Sequence, residues 1–87
     1  MTGYLITVEG PDGSGKSTQA RFLAEHLGAI YTREPGGTKL GERLRDMVLD
    51  PSGEGLSDRA EALMIAAARA QHVEEVIRPA IEQEKNV

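Results

Sequence analysis

Tyr4, Leu5, Ile6 and Val8 form a short apolar run without helical spacing, and it leads into the glycine-rich segment GPDGSG at 10–15, which cannot continue a strand. The pattern predicts a buried first strand and then a loop. From Lys16 the period changes. Ala20, Leu23, Ala24 and Leu27 recur at i, i+3, i+4 and i+7, the spacing of an amphipathic helix, and Gly28 supplies its stop. Ala29, Ile30, Tyr31 and Thr32 read as a second short strand, and Arg33, Glu34, Pro35, Gly36 and Gly37 force a turn. Thr38 can cap a second helix with Leu40, Leu44, Met47 and Val48 on one stripe, closed by Asp50, Pro51 and Gly53. Ser57 or Asp58 then opens a long alanine-rich helix whose stripe is Ala66, Ala70, Val73 and Ile77. Pro79 should kink or restart this helix, which fades near Glu84.

The expected fold is therefore α/β, one incomplete unit over residues 1–87 with neither a repeat nor a splitting linker. Composition narrows this picture. The 87 residues include only three aromatics, Tyr4, Phe22 and Tyr31, so aliphatic residues and alanine must fill a thin core. Ten Lys and Arg against fourteen Asp and Glu give a net charge of −4, which argues against a general nucleic-acid or anionic-membrane surface but permits a local phosphate site. The absence of cysteine removes thiolate chemistry and cysteine-ligated zinc. With no apolar run long enough to span a bilayer, a soluble cytoplasmic protein is expected. His26 and His72 lack a second histidine at metal spacing and read as surface or edge residues.

Chemistry is concentrated between the first strand and the first helix. Gly10, Pro11, Asp12, Gly13, Ser14, Gly15, Lys16 and Ser17 satisfy G-x-x-x-x-G-K-[ST] in the strand-to-helix setting that a phosphate loop requires. In such a loop backbone N–H groups curl around a phosphate, and the helix dipole adds to the field. Lys16 brings a point charge to the β- and γ-phosphates, the Ser17 hydroxyl can ligate Mg²⁺, and Thr18 completes the nucleotide-binding run. This motif by itself specifies nucleoside-triphosphate binding and leaves the substrate open.

Three segments narrow the substrate. VEGPDGSGKSTQ at 8–19, TREPGGT at 32–38 and LMIAAARAQ at 63–71 resemble the bacterial thymidylate kinases, in the same order and at similar spacing. The resemblance implies the N-terminal portion of a P-loop NTPase parallel sheet flanked by helices, an incomplete three-layer α/β/α arrangement. It also implies transfer of the ATP γ-phosphoryl group to dTMP, giving dTDP for dTTP synthesis, with Mg²⁺ as cofactor. On the same basis Lys16 and Asp12 are the catalytic candidates. Asp12 matches the carboxylate that holds the acceptor sugar 3′-hydroxyl; the lesser alternative is an Asx-turn residue. Gly13 stands where some members carry a catalytic arginine, which points to the class that brings arginine from a lid.

Arg33, Glu34 and Pro35 match the segment bordering the acceptor, where a cis proline bond would suit a tight turn; the alternative is a simple surface turn. Arg69 matches the arginine that donates to the thymine O4, and Ile65, one turn earlier, replaces a stacking aromatic ring. Gly36 and Gly37 allow a close backbone approach or only the turn, and Thr38 serves as a cap or a contact. The resemblance further implies a homodimer in the full-length protein. The third strand, which in this family lies between the first two, the lid and the later strands all lie outside these 87 residues, so the chain alone is expected to be inactive. Two alternatives stay open: another small-molecule kinase of the same loop class, or a non-catalytic nucleotide-binding module completed by a partner chain.

Overall fold

The computed structural model describes residues 3–11, 13–50, 52 and 55–87. They form α1 (Lys16–Leu27), α2 (Lys39–Leu49), α3 (Asp58–His72), a π-helical turn (Val73–Ile77) and α4 (Arg78–Glu82). The chain divides into two compact units, Met1–Tyr31 with Ile77–Val87, and Thr32–Val76.

The helices start and stop where side-chain chemistry predicts. Gly28, at φ +64°, ends α1 in a left-handed turn in which Ala29 N–H reaches back to the Ala24 carbonyl at 2.8 Å. The Thr38 hydroxyl caps α2 by accepting Gly41 N–H at 2.9 Å, and that of Ser57 caps α3 by accepting Ala60 N–H at 3.1 Å. Pro79 falls in the first turn of α4, directly after the π turn. Having no N–H for an i→i−4 bond, it breaks the α-ladder, and the wider turn absorbs the break.

The π turn also corrects the expected alanine stripe. Ala66 and Ala70 are exposed, and the buried positions are Ala68, His72, Ile77 and Ala80. The step from 72 to 77 is five residues because the π turn takes one residue more than an α turn, which shifts the phase of the buried face.

The expected parallel sheet is absent: no β-strand occurs among the described residues. Tyr4, Ile6 and Ile30 do meet the beginnings of a ladder in the first unit. Val87 N–H donates to the Tyr4 carbonyl at 2.9 Å, and Ile6 N–H donates to the Val87 carbonyl at 2.8 Å, the pattern of one parallel pairing. On the other side Ile30 N–H donates to the Asn86 carbonyl at 2.9 Å. Among the described residues Asn86 and Val87 alone bridge the two segments, and these few bonds do not make a strand. The side chains expected to be buried are accordingly exposed, Tyr4 by 73% and Leu5 by 50%. Ile77, Ala80 and Val87 are the buried apolar residues of this unit. In the second unit α2 packs against α3, with Ala68 and His72 buried.

Candidate functional site

The first unit presents the loop that runs into α1. Asp12 lies outside the described residues. Gly13 and Gly15 both take φ of +82°, and Gly15 occupies the cap position of α1 without offering a side-chain acceptor. The helix therefore starts on backbone alone, with Ser17 and Thr18 exposed in its first turn. Lys16 folds back along the loop, and its Nζ donates to the Gly10 carbonyl at 2.6 Å. The ammonium thus sits at the loop's own backbone, and the loop runs directly into the first turn of α1, where the helix dipole favours negative charge.

The second unit holds the other candidate residues. Thr32, Arg33, Glu34, Pro35, Gly37 and Thr38 each make a hydrogen bond to α2 or α3. Arg33 pairs with Glu42 of α2, Nη2 to Oε1 at 2.5 Å, and the other oxygen of Glu42 accepts Gly37 N–H at 2.9 Å. The Arg33 hydrogen bond, with help from the Gly37 N–H, holds the Glu42 carboxyl down at about 2. Arg45 Nη1 donates to the Pro35 carbonyl at 3.1 Å, and the Glu34–Pro35 peptide bond is cis.

Glu34 lies at the centre. Its Oε1 accepts Arg69 Nε–H at 2.6 Å, and its Oε2 accepts from His72 Nδ1 at 2.8 Å. Partial burial pushes the Glu34 carboxyl up, but the hydrogen bonds from His72 and Arg69 outweigh it and hold the group below its ordinary value. His72 Nε2 lies 2.7 Å from the Thr32 hydroxyl. At 2% exposure His72 is the largest fully buried side chain among the described residues. Gly37, at φ +81°, lies against this bond: a Cβ there would stand 2.6 Å from both His72 Nε2 and Thr32 Oγ1.

The structure thus brings Glu34 and Arg69 together across 35 residues of sequence, whereas Arg33 is turned toward α2. Ile65, 37% exposed, lies on α3 one turn before Arg69. Thr38 is a helix cap, and Gly37 makes room for His72. Sequence reasoning passed over Thr32, Glu42, Arg45 and above all His72, which is interior and doubly bonded where a surface or edge position was expected. The one signal for His72 is its place three residues after Arg69, on the same side of α3.

Comparison with known proteins gives a consistent result. The family model described as thymidylate kinase matches residues 8–87. A thymidylate kinase of Ectopseudomonas mendocina is 54% identical over 86 residues, covering 93% of this chain and 41% of that protein. One from Lactobacillus helveticus is 47% identical over 93 residues, covering all of this chain and 44% of the relative. The crystal structure of thymidylate kinase from Ehrlichia chaffeensis matches with a TM-score of 0.87 at 41% identity, over 98% of this chain and 51% of that one. The chain spans less than half the length of these curated relatives. With its glycine-capped phosphate loop and its Arg33-to-Thr38 turn tied to two helices, it belongs to the thymidylate kinase family.

Proposed function

We propose that these residues bind the two nucleotides of a thymidylate kinase reaction, in which the γ-phosphoryl group of ATP passes to dTMP to give dTDP. The observation that carries the acceptor half is the Arg69–Glu34 bond, which joins α3 to the cis-proline turn and so links two segments that resemble the family's acceptor site. Gly10, Pro11, Asp12, Gly13, Ser14, Gly15, Lys16, Ser17 and Thr18 take the triphosphate. Lys16 supplies charge to the β- and γ-phosphates, and Asp12 orients the acceptor sugar. Arg33, Glu34, Pro35, Ile65 and Arg69 take the acceptor, with Arg69 donating to the base O4 carbonyl and Ile65 packing on the ring.

Among the described residues no cluster of three or more His, Asp or Glu could cage a metal. The exposed Ser17 hydroxyl, a single hard oxygen, suits Mg²⁺ that arrives already bound to phosphates and water. Mg²⁺ held there would neutralise charge on the transferring group. The acceptor phosphate is an anionic nucleophile and needs no strong base, so the chain's own task is positioning and charge neutralisation.

In this reading the relatives' remaining length supplies the other groups that turnover needs. The whole protein works in the cytoplasm as a homodimer, and these 87 residues bind without turning over. Titration of the chain with ATP·Mg²⁺ and, separately, with dTMP, dUMP, dCMP and AMP tests the proposal. Binding of ATP that is lost in Lys16→Ala, and a preference for dTMP that is lost in Arg69→Ala, are the expected results. An acceptor profile indifferent to Arg69 would overturn the acceptor assignment, and formation of dTDP by the chain alone would overturn its inactivity.

A further inference from the structure

We propose that His72 is a positioning residue of the acceptor loop: its buried imidazole, gripped by Thr32 at Nε2, fixes through Nδ1 the Glu34 carboxylate whose other oxygen orients Arg69. For its functional consequence the proposal rests on the acceptor reading given above.

The geometry carries the argument. Among the described residues the two oxygens of Glu34 each meet one side chain, on residues three apart on α3, so the carboxylate plane is set by two anchors of different exposure. Arg69 is the exposed one, with 68% of its side chain open to solvent. His72 is the firm anchor, because its ring has no solvent to turn into and both of its nitrogens are engaged. Glu34 is held below its ordinary value, so at neutral pH it is ionised and only accepts; His72 Nδ1 therefore carries the proton. At Nε2 the Thr32 hydroxyl, which can donate or accept, engages the other ring nitrogen, so one imidazole satisfies both neighbours. Gly37 completes the arrangement, since a side chain there would occupy the position that His72 Nε2 and Thr32 Oγ1 share. The loop from Thr32 to Thr38 is thus shaped around an imidazole. Through the carboxylate, the direction of the Arg69 guanidinium is set by a residue that touches no ligand.

The test uses the ¹⁵N-labelled 87-residue chain with His72→Asn and His72→Gln. The asparagine amide nitrogen replaces Nδ1 and keeps the donor to Glu34, whereas the glutamine amide replaces Nε2 and loses that donor. In the unmodified chain, imidazole ¹⁵N spectra should show His72 protonated at Nδ1, with His26 as the internal comparison. The Arg69 Nε–H signal should be protected from exchange in the unmodified chain and in His72→Asn, and lose at least about tenfold in protection in His72→Gln. The dTMP dissociation constant should rise about tenfold in His72→Gln and stay within about twofold in His72→Asn, with ATP·Mg²⁺ affinity unchanged in both.

A neutral His72 protonated only at Nε2, or Arg69 protection equal in the two variants, would overturn the proposal. If both variants unfold, the spectrum of the unmodified chain decides by the first of these criteria. If dTMP fails to bind the unmodified chain while the Arg69 signal follows the expected pattern, positioning stands and the acceptor reading fails. If dTMP binds the chain and His72→Gln equally well, the acceptor reading stands and positioning fails.

Discussion

Replacing Gly37 with alanine offers a direct measure of how tightly the turn from Thr32 to Thr38 is built around His72. Two separate costs arise at that position. The backbone at φ +81° lies in the left-handed region, where a Cβ costs about 1–2 kcal/mol. The new methyl would also stand 2.6 Å from His72 Nε2 and Thr32 Oγ1, inside contact distance, so the bond between them must open. Leaving a buried imidazole nitrogen unsatisfied costs about 1–3 kcal/mol more. Gly28 provides the control: it has φ +64° but nothing within 4 Å of its Cβ, so Gly28→Ala bears only the backbone cost. For a chain of this size about 1 kcal/mol corresponds to roughly 5 °C in melting temperature. Thermal melts followed by circular dichroism should therefore show a fall of about 10–25 °C for Gly37→Ala and about 5–10 °C for Gly28→Ala. The His72 imidazole resonances should shift in the first variant and not in the second. Equal losses in the two variants, or an unmoved His72 signal in Gly37→Ala, would refute the close approach of Gly37 to the histidine.

Acid should loosen the same turn by a separate route. The carboxyl of Glu42 is held at about 2 against an unfolded value near 4.5, so its ionised form contributes stability above about pH 4.5. That contribution falls away as pH drops from about 4.5 to about 2, with Glu34 adding in the same direction. Urea midpoints measured across this range should decline for the unmodified chain and change less for Glu42→Gln; parallel curves would deny the carboxylate its role. Thr38→Ala removes the acceptor of Gly41 N–H at the start of α2 and should cost about 1 kcal/mol in urea unfolding, whereas an unchanged midpoint would mean that water replaces the cap without loss.

The parts of this molecule that depend on near neighbours were legible in its sequence. Thr38, Ser57 and Gly28 mark helix ends through bonds spanning a few residues. The strands were not legible as such: Leu5 and Ile6 carry the composition of a buried strand, but burial and pairing depend on a neighbouring ladder, and among the described residues only Asn86 and Val87 bond to these segments across it. The alanine stripe failed for a subtler reason. A 3.6-residue period was carried through Val73 to Ile77, where the backbone takes a wider turn ahead of Pro79. His72 escaped because its partners, Thr32 and Glu34, lie 40 and 38 residues away, and no periodicity encodes such a pairing.

The fastening of the turn between Thr32 and Thr38 has a consequence for the thermodynamics of recognition. A loop that must be ordered by its ligand spends part of the contact energy on freezing its own torsions. In this chain Arg33, Glu34 and the Pro35 carbonyl are already held by Glu42, His72 and Arg45, so that ordering is completed during folding. If the loop takes a nucleotide as proposed, that association should carry a small conformational-entropy penalty. Substitutions on the loop-facing sides of α2 and α3, away from any ligand, would reappear as weaker and more entropically opposed binding.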